Sequence, residues 1–140
     1  DSPIGVAAWI LEKFHSWSDL KHGKIEKTYN KDILLTNIMI YLITKTFNTA
    51  SWIYFGRREE GGRCFPKNFK KIKVPTAVAE FPKEMSEWPP KSYVNRIFNV
   101  VRWTKMPRGG HFAALEEPEL LIKDIKSFFK NYKIIKIEKK

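Results

Sequence analysis

A chain of 140 residues that is 43% hydrophobic and 29% charged has ordinary globular composition, so disorder is not the default reading. A net charge of +11 raises nucleic acid or an anionic surface as partners, but the lysines gather at Lys67, Lys70, Lys71 and Lys73 and at Lys133, Lys136, Lys139 and Lys140, beside turns and at a terminus, where they read as solvated; no nucleic acid partner is expected. The lone cysteine, Cys64, excludes an intrachain disulfide framework and a cysteine-rich zinc site and reads as incidental.

Asp1-Ser2-Pro3 opens a helix, with Ser2 as its cap and Pro3 at the first helical position. Ile4, Ala7, Ala8 and Leu11 then recur at helical spacing and predict one apolar face running toward Phe14. Ser16 to Lys31 is polar, contains Gly23 and reads as a loop. Asn30 caps a second helix, with Asp32 in its first turn and Leu34, Ile38, Tyr41 and Leu42 as its stripe. The apolar run Ile33 to Ile43 falls short of the roughly 18 to 20 residues a membrane-spanning helix needs, so it is no anchor. No signal-peptide pattern opens the chain, but Asp1 is not an initiator methionine, which leaves an upstream signal or anchor open. A short third helix is expected over Thr49 to Tyr54, followed by an exposed turn from Gly56 to Gly62.

Beyond Pro66 the texture changes. Val74 to Ala79 predicts a buried parallel strand, Ser92 to Phe98 a short helix and Asn99 to Met106 a second strand. Pro107, Gly109 and Gly110 stop that strand, and Glu117-Pro118 starts a last helix with Leu121, Ile125, Phe128 and Phe129 on one face. The order predicts an α/β fold in which a helical segment over 1–66 precedes strands and helices over 67–140. Two parallel strands with one crossover do not cover both faces of a sheet, so further strands are expected upstream.

The densest chemical constellation is Arg108-Gly109-Gly110-His111-Phe112-Ala113-Ala114-Leu115-Glu116-Glu117-Pro118. It sets a histidine, the side chain that titrates nearest neutrality, on a glycine loop between strand and helix. Read by pattern alone, His111 is as readily a loop histidine held by a carbonyl as a catalytic one.

The run from Gly109 to Leu121 resembles the histidine loop of α/β-hydrolases of the epoxide hydrolase and haloalkane dehalogenase group. Asp1 to Phe14 resembles the cap segment of microsomal-type epoxide hydrolases, including the insect juvenile hormone enzymes, and Leu35-Thr36-Asn37-Ile38-Met39 is similar to the next cap helix. The resemblance implies the carboxy-terminal part of such an enzyme: a cap segment over 1–66, then the last strands and the C-terminal helix of the parallel sheet over 67–140. It implies that His111 is the general base, that Glu84 in Phe81-Pro82-Lys83-Glu84 is the triad acid, and that Tyr54 donates a hydrogen bond to the epoxide oxygen. Glu80 and Glu87 stay as rivals to Glu84. The implied reaction adds water to an epoxide through an aspartyl ester and needs no cofactor or metal. The partners implied are an apolar epoxide and water, and the location is the endoplasmic reticulum membrane, held by an anchor outside this chain.

The family's nucleophile turn, approximately Gly-Gly-Asp-Trp, does not occur in the sequence, and Asp1, Asp19, Asp32 and Asp124 do not match it. The chain therefore reads as a fragment that is inactive alone. Dehalogenation by a related triad and a non-catalytic module that binds an apolar ligand or partner remain as alternatives. Whether the substrate is juvenile hormone or a xenobiotic epoxide stays open.

Overall fold

Helices fill the first half of the chain. A computed structural model describes residues 2–61, 69–130 and 132. The expectations placed on Cys64, Lys67, Asp1 and the lysines from 133 onward, and the boundary between 66 and 67, lie outside those residues. The chain divides into two compact units, Asp1–Lys70 and Lys71–Lys140.

The first unit holds α1 (Pro3–Ser16), a 3-10 turn (Lys21–Gly23), α2 (Ile25–Thr28), α3 (Lys31–Thr44) and α4 (Phe47–Glu59). Ser2 has the extended backbone of a cap, but its side chain makes no capping hydrogen bond; Pro3 alone marks the start. The buried face of α1 is Val6, Ile10 and Phe14, not the expected Ile4, Ala7, Ala8 and Leu11, and Ile4 is 79% exposed. Apolar residues lie all round this helix, so the packing partner decides the face. That partner is α3, which buries Leu34 and Ile38.

Between these helices the expected loop is partly helical, as the 3-10 turn and α2. It is pinned to α1 by Tyr29, whose ring meets Phe14 edge-on at 5.1 Å. The Ser18 hydroxyl donates to the Phe14 carbonyl at 2.6 Å, which uses its only proton. The 2.6 Å contact between Ser18 Oγ and Tyr29 Oη is therefore donated by the tyrosine.

Asn30 caps α3 as expected, its side chain accepting the Asp32 N–H at 2.8 Å. Helix α4 runs further in both directions than the predicted Thr49 to Tyr54, and Gly56 lies inside it rather than in a turn. A glycine costs a helix only about 1 kcal/mol. Arg57 and Arg58 in the last turn favour the helical end, and Gly61, at φ +84°, follows it.

The second unit holds β1 (Pro75–Glu80), α5 (Lys91–Ile97), β2 (Asn99–Lys105), α6 (Ala113–Glu116) and α7 (Pro118–Phe129). The strands pair in parallel, from Pro75 opposite Asn99 to Glu80 opposite Lys105, with an irregularity between Thr76 and Ala77. Helix α5 lies in the crossover between them, as parallel pairing requires.

On α7 the expected face shifts. Ile125 and Phe129 are exposed, and Asp124, at 7% exposure, faces inward with Leu121 and Phe128 half-buried beside it. The cause is on β2. Arg102 donates to Asp124 Oδ1 from Nε at 2.9 Å and from Nη2 at 2.6 Å, and the Thr104 hydroxyl donates to the same oxygen at 2.7 Å. A buried carboxylate so partnered turns the helix by its charge rather than by its apolar stripe.

Candidate active site

Parallel pairing outlasts the strands. Met106 N–H donates to the Glu80 carbonyl at 2.8 Å, and Lys83 N–H to the Gly109 carbonyl at 3.1 Å, where Lys83 and Gly110 form an isolated parallel bridge. The segment that follows β1 is thus stitched by main chain to the loop that follows β2.

Glycine makes the approach feasible. Gly109 adopts φ +105°, and a Cβ there would lie 2.7 Å from Cδ1 of the buried Phe81. Gly110 does not have positive φ, so only the first of the two glycines uses the freedom expected of both. Phe81 is held in turn by the Trp88 indole, which donates to its carbonyl at 2.9 Å.

This stitching brings two of the expected site residues together. His111 Nδ1 lies 2.6 Å from Glu84 Oε1, with the histidine side chain 38% and the glutamate 23% exposed. Glu84 Oε1 also accepts the Met85 N–H at 2.7 Å, which orients the carboxylate. An ionised carboxylate only accepts hydrogen bonds, so the neutral ring places its proton on Nδ1 and Nε2 becomes the basic nitrogen. Of the rivals, Glu80 accepts the Trp103 indole N–H instead, and Glu87 is exposed.

Tyr54 belongs to the first unit, on α4, at 57% exposure. Its ring meets Trp9 edge-on at 6.1 Å, and with Trp9, Phe47, Trp52, Phe55 and Arg58 it lines a groove of about 450 Å³.

One residue of the loop escaped sequence reasoning. Glu116, 8% exposed, accepts the Gly110 N–H on Oε2 at 2.9 Å and the Phe112 N–H on Oε1 at 2.8 Å. The local pattern does not mark it, since Phe112 at the N-cap has no capping oxygen and Glu116 is the fourth helical residue rather than the third. Across the neck of the loop, Arg108 Nε donates to Glu117 Oε1 at 2.8 Å. No group of three or more His, Cys, Asp or Glu among the described residues could hold a metal ion.

No family model matches the chain. Its sequence is 41% identical over 133 residues to epoxide hydrolase 1 of Sus scrofa, covering 91% of this chain and 29% of that protein. It is 36% identical over 138 residues to juvenile hormone epoxide hydrolase 1 of Ctenocephalides felis, covering 95% and 30%. The crystal structure of juvenile hormone epoxide hydrolase from Bombyx mori superposes with a TM-score of 0.77 at 27% identity, over 92% of this chain and 32% of that one. The chain thus spans about three tenths of the length of the curated relatives it matches. The helices and parallel strand pair are those of the corresponding piece of these structures, as the α/β expectation required. By sequence and by fold, the chain matches a portion of epoxide hydrolases that have the α/β-hydrolase fold.

Proposed function

We propose that the protein to which this chain belongs hydrolyses epoxides to vicinal diols in two steps. A carboxylate nucleophile contributed by other residues of that protein opens the ring and forms an ester, which water then cleaves. The observation that carries this reading is the 2.6 Å contact between His111 Nδ1 and Glu84 Oε1 on adjoining loops. Glu84 holds the imidazole in the tautomer whose Nε2 takes a proton from water and stabilises the imidazolium that results. Tyr54 serves the first step, its phenol donating to the oxygen on which negative charge develops. Residues 1–66 act as cap and 67–140 as the end of the sheet domain. Names of relatives support juvenile hormone as one substrate class beside other epoxides.

The likeness also extends the proposal to residence at the endoplasmic reticulum membrane. Among the described residues no helix is long and apolar enough to cross a membrane, so attachment would rest on residues outside them. Fractionation of cells expressing the whole protein tests that part: recovery with the soluble fraction refutes it.

The chemistry is tested in the whole protein by His111→Gln. Loss of a general base lowers the hydrolytic step by about 10² to 10⁴. Diol formation should fall by that factor while the covalent ester accumulates, as seen by mass spectrometry after mixing with an epoxide. Turnover at the wild-type rate would remove His111 from the mechanism. Halide release from haloalkanes without epoxide turnover would replace this reaction by dehalogenation, and epoxide binding without chemistry would leave a non-catalytic module.

A further inference from the structure

We infer that Glu116 is a positioning residue for His111, an inference that rests on the reading of His111 as the base. Its two oxygens accept the N–H of Gly110 and of Phe112, at 2.9 and 2.8 Å, one on each side of the histidine. Holding the amide before and the amide after a residue restricts the backbone from which its side chain projects.

The restriction adds to the Lys83–Gly110 bridge, because the conformation of the segment itself is weakly determined. The residue before Gly110 is a second glycine in a left-handed conformation, and the helix after Phe112 is a single turn, Ala113–Glu116. One helical turn has no stability of its own. Glu116 closes it by a reciprocal pair: its own N–H donates to the Phe112 carbonyl at 3.0 Å, and its carboxylate accepts the Phe112 N–H.

Charge and burial make the clamp stiff. At 8% exposure the carboxylate is largely shielded from water, and both bonds are charge-assisted. Glutamine offers one carbonyl oxygen to two N–H donors and turns its own NH₂ toward the other. Aspartate is one methylene too short to span both. Glu84 then sets the rotation of the imidazole, and Glu116 sets the position of the Cα that carries it. The two carboxylates act on different degrees of freedom of one side chain.

The test uses the whole protein carrying Glu116→Gln, with two readouts. In single turnover with an epoxide, ester hydrolysis should slow by about 10 to 10²-fold, the effect of misplacing a catalytic group by under an ångström or so. Ring opening, which the base does not drive, should stay within about threefold. Separately, the His111 ring signal in a histidine-labelled NMR spectrum should broaden or split. Equal slowing of both steps, or a wild-type hydrolytic rate with an unchanged His111 signal, overturns the inference.

If the wild-type protein forms neither ester nor diol, the epoxide reading fails and the His111 signal alone decides the clamp: unchanged refutes it, broadened supports it. Should the glutamine variant not fold, Glu116→Asp carries the same test, with a comparable selective loss expected and the same outcomes overturning it.

Discussion

Gly109 is the residue on which the loop geometry turns. Its φ of +105° disfavours any side chain, and a Cβ would meet Phe81 at 2.7 Å and Glu117 Cγ at 3.2 Å. Gly109→Ala is expected to lose about 1 to 3 kcal/mol of stability in denaturant unfolding, from strained backbone alone. Moving Phe81 aside would add to that and loosen the Trp88 contact. Tyr54 makes a different prediction. Tyr54→Phe keeps the ring against Trp9 and removes only the hydroxyl, so the fold should persist. If the phenol stabilises developing charge, ring opening in the whole protein should slow by about 10² to 10³; a rate unchanged by the substitution would leave Tyr54 as packing. At this scale only the family resemblance singled out Glu84 beside His111, and the structure brings the two to 2.6 Å. The sequence was silent about Glu116, since a buried carboxylate that serves two backbone amides looks, in one dimension, like any surface glutamate.

Elements were legible where one property dominated. Both strands and α5 fall within a residue of expectation at each end, because short apolar β-branched runs stop at prolines and polar turns. Faces were less legible. On α1 too many positions are apolar for periodicity to choose, and on α7 a charge overrides the stripe. The α7 case is measurable. Asp124→Ala leaves Arg102 and Thr104 without their shared acceptor, and Arg102 is partly open to water, so we expect a loss of about 1 to 3 kcal/mol. Asp124→Asn should lose less, since one oxygen remains. A loss below measurement error in the alanine variant would mean that apolar packing alone docks this helix.

Across the whole molecule the balance of surfaces is unusual. Among the described residues few large apolar side chains are buried, while Ile43, Ile53, Phe55 and Val74 are each at least two-thirds exposed or nearly so. In the first unit Trp9, Phe47, Trp52, Tyr54 and Phe55 line one apolar groove, and exposed apolar patches of this kind mark surfaces that other segments or partners cover. A chain that spans about three tenths of its relatives has this character when its partners in the fold are other parts of the same polypeptide. The 140 residues expressed alone are therefore expected to bind a hydrophobic dye strongly and to sediment as associated species. A monomer with no dye binding would show that they bury their surface unaided. None of this was readable from composition, because 43% hydrophobic content is ordinary whichever side of the surface those residues occupy.

The bridge between Lys83 and Gly110 sets the distance from Glu84 to His111 with main-chain atoms, through an N–H that every residue except proline carries. Replacement of the Lys83 side chain therefore leaves the pairing intact. Gain or loss of a single codon between Glu80 and Glu84 does not, since it slides one loop against the other and carries the carboxylate out of reach. In this stretch the gene can drift by substitution but not in length.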